Sequence, residues 1–286
     1  MPLRRMFPLL LLPVLAAAPA GLNHFYATVD AETYGAIEAS PFLREQFAPF
    51  EKRTTVRNDS TYSGLYFYGL GTYFEFFEEG QGERKKGDAG VALGVEDAGG
   101  SDKLKEQWNA VRPAVVTMVT RQVGGVAADW FRMTSFEETR ANSAVPGLRL
   151  FAMEYAPTFL KAWEAGPMGS IRMADVLGAY CEKLGLAEVR KNAKLANVSR
   201  VEIAGPAAGL ALRAKQLELA GWKIARRRGG VWECVGPNAT VVFRPAPVPQ
   251  SVRRVEFHLQ HPYNGPDVKL GSSTLRFRER TAVWTF

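Results

Sequence analysis

The order in which strand-like and helix-like stretches follow one another limits this chain more than any single motif does. "GLNHFYATVD" alternates with the two-residue period of a strand, and "AETYGAIEASPFLREQF" has helical spacing. "EKRTTVRN", "SGLYFYGLG" and "TYFEFFEE" are again strand-like, bounded by Gly, Asn and Asp. After a polar, Gly-rich linker, "GQGERKKGDAG", the same order returns over residues 88–157 in "AGVALGVED", "SDKLKEQWNAV", "AVVTMVTRQV", "ADWFRMTSF" and "LRLFAMEYAP". Residues 158–195 read as helical. "NVSRVEIAGP" then opens a third strand–helix–three-strand run. The last piece, "RRVEFHLQH…STLRF…TAVWTF", offers three strands and no helix. The expected class is α+β, built of repeated β-α-β-β-β units with the fourth unit reduced. The expected divisions are a leader over 1–20, paired units over 21–157, a helical connector over 158–195, and the third and fourth units over 196–286.

Within the first unit, "TYFEFFEEG" sets an acid among aromatics. Alternation places Tyr73, Glu75 and Phe77 on one face of the strand and Phe74, Phe76 and Glu78 on the other. An ionised carboxylate on a packed face is costly unless something pairs with it. Arg53 and Arg57 on a neighbouring strand are candidate partners. So is His24, which alternation puts on one face with Leu22 and Tyr26. Four tyrosines, Tyr62, Tyr66, Tyr68 and Tyr73, are candidates for lining a small-molecule pocket beside Glu75, although one row of these alternating aromatics is expected to be core.

The ends and the charge bear on location and partners. "MPLRRMFPLLLLPVLAAAPA" has Arg4 and Arg5, an apolar run and a small-x-small end at Ala18-Pro19-Ala20. That is the layout of a cleavable signal peptide, with Gly21 as the mature N-terminus and a periplasmic or secreted product. The apolar run is too short to span a bilayer, which takes roughly 20 residues, so no membrane association is expected after cleavage. Residues 183–286 hold 18 Lys and Arg against 7 Asp and Glu. These are scattered through apparent strands and helices, so a solvated face is expected rather than a nucleic-acid surface. Cys181 and Cys234, in an oxidising compartment, are either one disulfide or a buried free pair. No GxSxG, P-loop or GxGxxG accompanies the three histidines. A homodimer is left open.

"LNHFYATVD", "TYFEFFEE" and "GLALRAKQLELAGWKI" together resemble the vicinal-oxygen-chelate superfamily, which includes glyoxalase I, extradiol dioxygenases and antibiotic-sequestering proteins. More narrowly, "NHFY", "GLYFYG…TYFE" and "GSSTLRF…AVWTF" resemble an uncharacterised exported bacterial family with a glyoxalase-like domain. The resemblance implies curved, cup-like mixed sheets. It also implies a metal held inside the cup by a first-strand residue and a fourth-strand Glu, which match His24 and Glu75. Glu154 matches the fourth-strand acid of the second unit, as ligand or proton shuttle, whereas its first-strand counterpart is Val91, which cannot bind metal. A second histidine would have to be His258 or His261. Imidazole and carboxylate suit Zn, Mn, Ni or Fe(II). The implied activity is that of a metal-dependent lyase, isomerase or dioxygenase acting on vicinal oxygens of a small substrate. The alternatives are a non-catalytic small-molecule binder and a structural or interaction protein retaining the fold.

Overall fold

The structure is a computed structural model that describes residues 19–163, 171–247 and 251–286. Most of the expected signal peptide, residues 1–18, lies outside the described residues. Among the described residues no helix is long and apolar enough to cross a membrane.

The first half builds one eight-stranded sheet. Its elements are β1 (Gly21–Val29), α1 (Ala31–Ala39), β2 (Phe50–Val56), β3 (Thr61–Tyr68), β4 (Tyr73–Glu78), β5 (Ala89–Gly94), α2 (Gly100–Asn109), β6 (Ala114–Val123), β7 (Val126–Phe136) and β8 (Leu148–Tyr155). The strand order is β2-β3-β4-β1-β5-β8-β7-β6, with β1 parallel to β4, β5 parallel to β8, and β1 antiparallel to β5 at the centre. Each parallel pair is made possible by the helix that carries the chain back across the sheet. Asp30 starts α1 by accepting the Thr33 N–H at 2.8 Å. The helical stretch read through Phe47 is interrupted at Ser40-Pro41, where the proline restricts the residue before it, and resumes as a π-helical turn over Leu43–Phe47.

Three helices follow, α3 (Pro157–Trp163), α4 (Met173–Lys183) and α5 (Ala187–Asn192). The second half is β9 (Leu195–Gly205), α6 (Ala207–Leu219), β10 (Lys223–Arg226), β11 (Trp232–Val235), β12 (Thr240–Pro245), β13 (Ser251–Leu259), β14 (Val268–Leu270), β15 (Ser273–Arg278) and β16 (Thr281–Thr285). Its order, β10-β11-β12-β9-β13-β16-β15-β14, repeats that of the first sheet, and β9 is parallel to β12. The last four strands differ in one respect, because β13 pairs antiparallel with β16. With no helix between β13 and β14 the chain is not carried back across the sheet, so, relative to the strand that opens each unit, β14, β15 and β16 run opposite to their counterparts β6, β7 and β8. The sequence reading of three strands there omits β14. These curled mixed sheets with few helices make an α+β fold.

The two sheets share a core. Phe25, Phe74 and Phe76 of the first sheet pack with Phe257 and Trp284 of the second and with Ile37, Trp108, Leu210 and Leu217 of the helices between them. Phe74 and Phe257 have ring centroids 5.2 Å apart, and Phe76 and Trp284 4.9 Å. The turn before β12 also reaches the first sheet. Asn238 accepts the Leu22 N–H at 2.7 Å and donates to the Leu22 carbonyl at 2.8 Å. Nearby, the Trp222 indole donates to the Ala20 carbonyl at 2.6 Å.

The other face of the first sheet carries a separate core. Tyr66, Tyr68, Tyr73, Trp130, Phe131, Met153 and Tyr155 pack with Phe159 and Leu160 of α3 and with Met173, Val176, Leu177, Tyr180 and Cys181 of α4. The segment read as a connector therefore covers part of the concave face. Cys181 lies in this core and Cys234 in the other, both as free thiols. The outer strands of the first sheet meet at one end. Arg57 and Arg121 form an isolated bridge, and Asn58 accepts the Thr120 N–H at 3.3 Å and donates to the Met118 carbonyl at 3.2 Å. An eight-stranded sheet that touches its own far edge is a half-barrel with an interior.

Candidate functional site

The concave face left open by α3 and α4 holds a cavity of about 600 Å³. Its floor is set by β1 and β4. A bulge at Asn23 shifts the pairing of β1, which runs Leu22 to Leu93 and then His24 to Ala92. The extra residue breaks strict alternation. Leu22 consequently joins Phe25 and Ala27 in the inter-sheet core, while His24 and Tyr26 face the cavity. The expectation that Leu22 shares a face with His24 is corrected by this bulge.

The structure brings His24 and Glu75 together. Their Nε2 and Oε1 atoms are 3.7 Å apart, and only 4% of His24 and 8% of Glu75 is exposed. The imidazole stacks on Tyr73 at 4.4 Å and meets the edge of Phe151 at 5.8 Å. Its Nδ1 lies 2.7 Å from Asn23 Oδ1. An amide oxygen only accepts, so the network assigns the ring proton to Nδ1 and leaves the Nε2 lone pair towards Glu75. The Asn23 amide nitrogen in turn points at the Met173 sulfur, 3.7 Å away on α4. Burial lowers the His24 pKa to about 3. Burial also raises that of Glu75 to about 7, against the pull of the Arg53 and Arg84 guanidiniums, a Tyr73 hydrogen bond and Arg57. Below about pH 7 and above about pH 3, the floor is thus a protonated carboxyl group beside a neutral imidazole.

The two arginines expected as partners of Glu75 are engaged elsewhere. Arg53 donates to Glu51 at 3.0 Å and to the Tyr180 hydroxyl, with its guanidinium 4.1 Å from the Tyr66 ring. Arg57 forms a two-pronged pair with Asp59 at 2.8 and 2.7 Å. Tyr62 and Tyr73 line the cavity. Tyr66 and Tyr68 share the concave face but lie outside the lining. Tyr68 is packed against Tyr180 of α4 and donates to Glu51 at 2.6 Å.

Glu154 does not join this group. Its carboxylate accepts the Gly99 and Ser101 N–H groups at 2.8 and 2.9 Å and so caps α2 from the opposite face of the sheet. Val91 also faces the inter-sheet core, and the β5 positions on the cavity side are Gly90 and Ala92. His258 is exposed on β13 in the other sheet, and His261 is exposed beyond it. The expected ligand set therefore shrinks to one imidazole and one carboxyl. Among the described residues no group of three His, Cys, Asp or Glu could hold a metal ion. Two donors under the influence of three guanidiniums do not fit a resident dication, which takes at least three protein ligands in catalytic zinc sites.

Several cavity residues were not singled out from sequence. Tyr26 lay in view on the same face as His24, and its ring occupies the space where a side chain on Gly90 would sit, since a Cβ there would come within 2.0 Å of it. Arg84, inside the stretch read as a linker, lies 3.8 Å from the Phe77 ring centroid. Arg149 of β8 lines the cavity as well.

The model of a family of unknown function, DUF5829, matches residues 22–286. No curated protein matches the chain. Among solved structures, a hypothetical protein from Staphylococcus aureus is similar with a TM-score of 0.55 at 9% identity, over 90% of this chain and 98% of that one. A Mn(II)-bound glyoxalase from Novosphingobium aromaticivorans gives 0.44 at 10% identity, over 91% of this chain and 78% of that one. Homoprotocatechuate 2,3-dioxygenase from Arthrobacter globiformis gives 0.42 at 10% identity, over 87% of this chain and 64% of that one.

Proposed function

The chain belongs to the DUF5829 family of unknown function, and from that premise we propose that it is an exported small-molecule-binding protein whose ligand sits in the half-barrel of the first sheet. The observation that carries this reading is the cavity of about 600 Å³, walled by aromatic rings and floored by the buried His24–Glu75 pair. Pockets of this size with a few convergent polar groups and a shifted carboxyl pKa are where ligands are held. Glu75 donates or accepts a hydrogen bond according to its protonation, and His24, fixed by Asn23, orients it.

A metal-dependent lyase, isomerase or dioxygenase is the second reading. The Nε2 lone pair of His24, turned towards Glu75, is the feature in its favour. The missing third ligand is against it. Metal analysis of protein purified after incubation with Fe(II), Mn and Zn separates the two. Binding without metal in the cavity is expected, and one metal per chain surviving gel filtration, lost in His24→Ala, would select the enzyme instead. Export rests on the Arg-Arg, apolar run and Ala-Pro-Ala order. N-terminal sequencing of protein from the cell envelope or medium tests it, and an intact Met1 on protein confined to the cytoplasm would overturn it.

A further inference from the structure

The charged groups around the cavity are unevenly paired. Arg57 is held by Asp59, and Arg140 by Asp88. Glu138 is taken by Arg112 at 2.9 Å and by Arg213 at 2.5 Å. Arg84 and Arg149 also line the cavity, and among the described residues neither guanidinium has a hydrogen-bond or ion-pair partner. The two flank Tyr26: Arg84 is 5.6 Å from its ring, and Arg149 is paired across the sheet with Gly90, over which that ring lies. Arg84 is held in place by rings, 3.8 Å from the Phe77 centroid, 5.3 Å from Tyr62 and 5.6 Å from Tyr26. Ring contacts restrain a guanidinium without using its N–H donors. The cavity thus has an aromatic wall, two uncommitted guanidiniums flanking Tyr26 and a carboxyl on its floor.

We propose that this cavity takes a small aromatic carboxylate, its anionic group received by Arg84 and Arg149 and its ring lodged against Phe131 and Phe151 of the same lining. The inference rests on the small-molecule reading of the same cavity and adds the chemistry of the ligand. A guanidinium presents paired donors that match a carboxylate, and partial exclusion of water strengthens the pair. The surrounding rings supply stacking and apolar burial to the body of the ligand.

The test is calorimetric titration of the full chain with four probes: naphthalene-2-carboxylate, naphthalene-2-carboxamide, acetate and inorganic phosphate. The naphthoate is expected to bind at least about tenfold more tightly than the other three, a difference that a single charge-assisted pair supplies. Arg84→Gln and Arg149→Gln should each weaken the naphthoate by about tenfold and leave the carboxamide unchanged, with Arg84→Lys intermediate. Arg149 is exposed, so its variant folds even where the Arg84 variant does not. Equal binding of acid and amide, or naphthoate binding untouched in both arginine variants, would overturn the carboxylate assignment and leave the cavity reading standing. Phosphate bound as tightly as naphthoate would overturn the aromatic part. Failure of both naphthalene probes at millimolar concentration would overturn the cavity reading itself.

Discussion

Glu75 and His24 set opposite pH limits on the fold. The folded state keeps Glu75 protonated to about 7 against an ordinary 4.5, so it holds a proton that the unfolded chain has released. Stability from this group falls as pH rises from 4.5 to 7. His24 resists protonation down to about 3 against 6.5, so the unfolded chain takes up a proton that the folded one refuses. Stability from this group falls as pH drops from 6.5 to 3. Between 4.5 and 6.5 the two slopes oppose each other. Denaturant unfolding of wild type and Glu75→Gln across pH 4 to 8 should therefore show the variant gaining on wild type as pH rises, by up to about 3 kcal/mol. A difference independent of pH would mean that Glu75 is ionised in the fold. This pair was legible because a carboxylate between aromatics, in "TYFEFFEE", stands out against an apolar background. Leu22 was misplaced because a bulge leaves no mark in the residues themselves. Glu154 was misplaced because β8, "LRLFAMEY", is covered on both faces, and a strand covered on both sides carries little parity in its residue pattern.

Among the elements, α2 and the meeting of β2 with β6 make separable predictions. Glu154→Ala should cost about 1–3 kcal/mol, because two N–H groups at the start of α2 lose their acceptor, while ligand binding in the cavity is unchanged. Lost ligand or metal binding with unaltered stability would return Glu154 to the site. Asn58→Ala removes the two side-chain bonds to β6. Its global stability should change by no more than about 1 kcal/mol, whereas amide exchange at Thr120 accelerates. Unchanged exchange there would show that the backbone contacts alone hold the edges together. The recurring strand–helix–three-strand order could be read from periodicity and from Gly and Pro punctuation. The role of α3 and α4 could not, because an apolar helical face does not say which sheet it will cover.

At the scale of the molecule, the basic second half uses much of its charge on itself. Arg200 and Arg227 share Glu233, Arg244 pairs with Glu202, Arg254 with Glu256, and Arg276 with Asp267. The N-terminal boundary is a finer matter. Ala20 is buried, donates to the Ala220 carbonyl at 3.2 Å and accepts from Trp222. A chain starting at Gly21 lacks both contacts. It should be less stable than one starting at Pro19 by about 0.5–1.5 kcal/mol in denaturant unfolding. Equal stability would show that processing after Ala20 costs the fold nothing.

The hold of Asn238 on Leu22 also orders events in time. The two residues are 216 positions apart, and both partners of the clasp are backbone groups of the strand that carries His24. A chain emerging N-terminus first completes all eight strands of its first sheet before residue 238 exists, so until the second half is made the leading end of β1 is held on one side only, by its pairing with β5. A nascent chain stalled before that turn would therefore expose the segment around residues 19–22 to proteases, and one stalled after it would shield the same bonds. The joint that closes the protein is the one nearest its beginning.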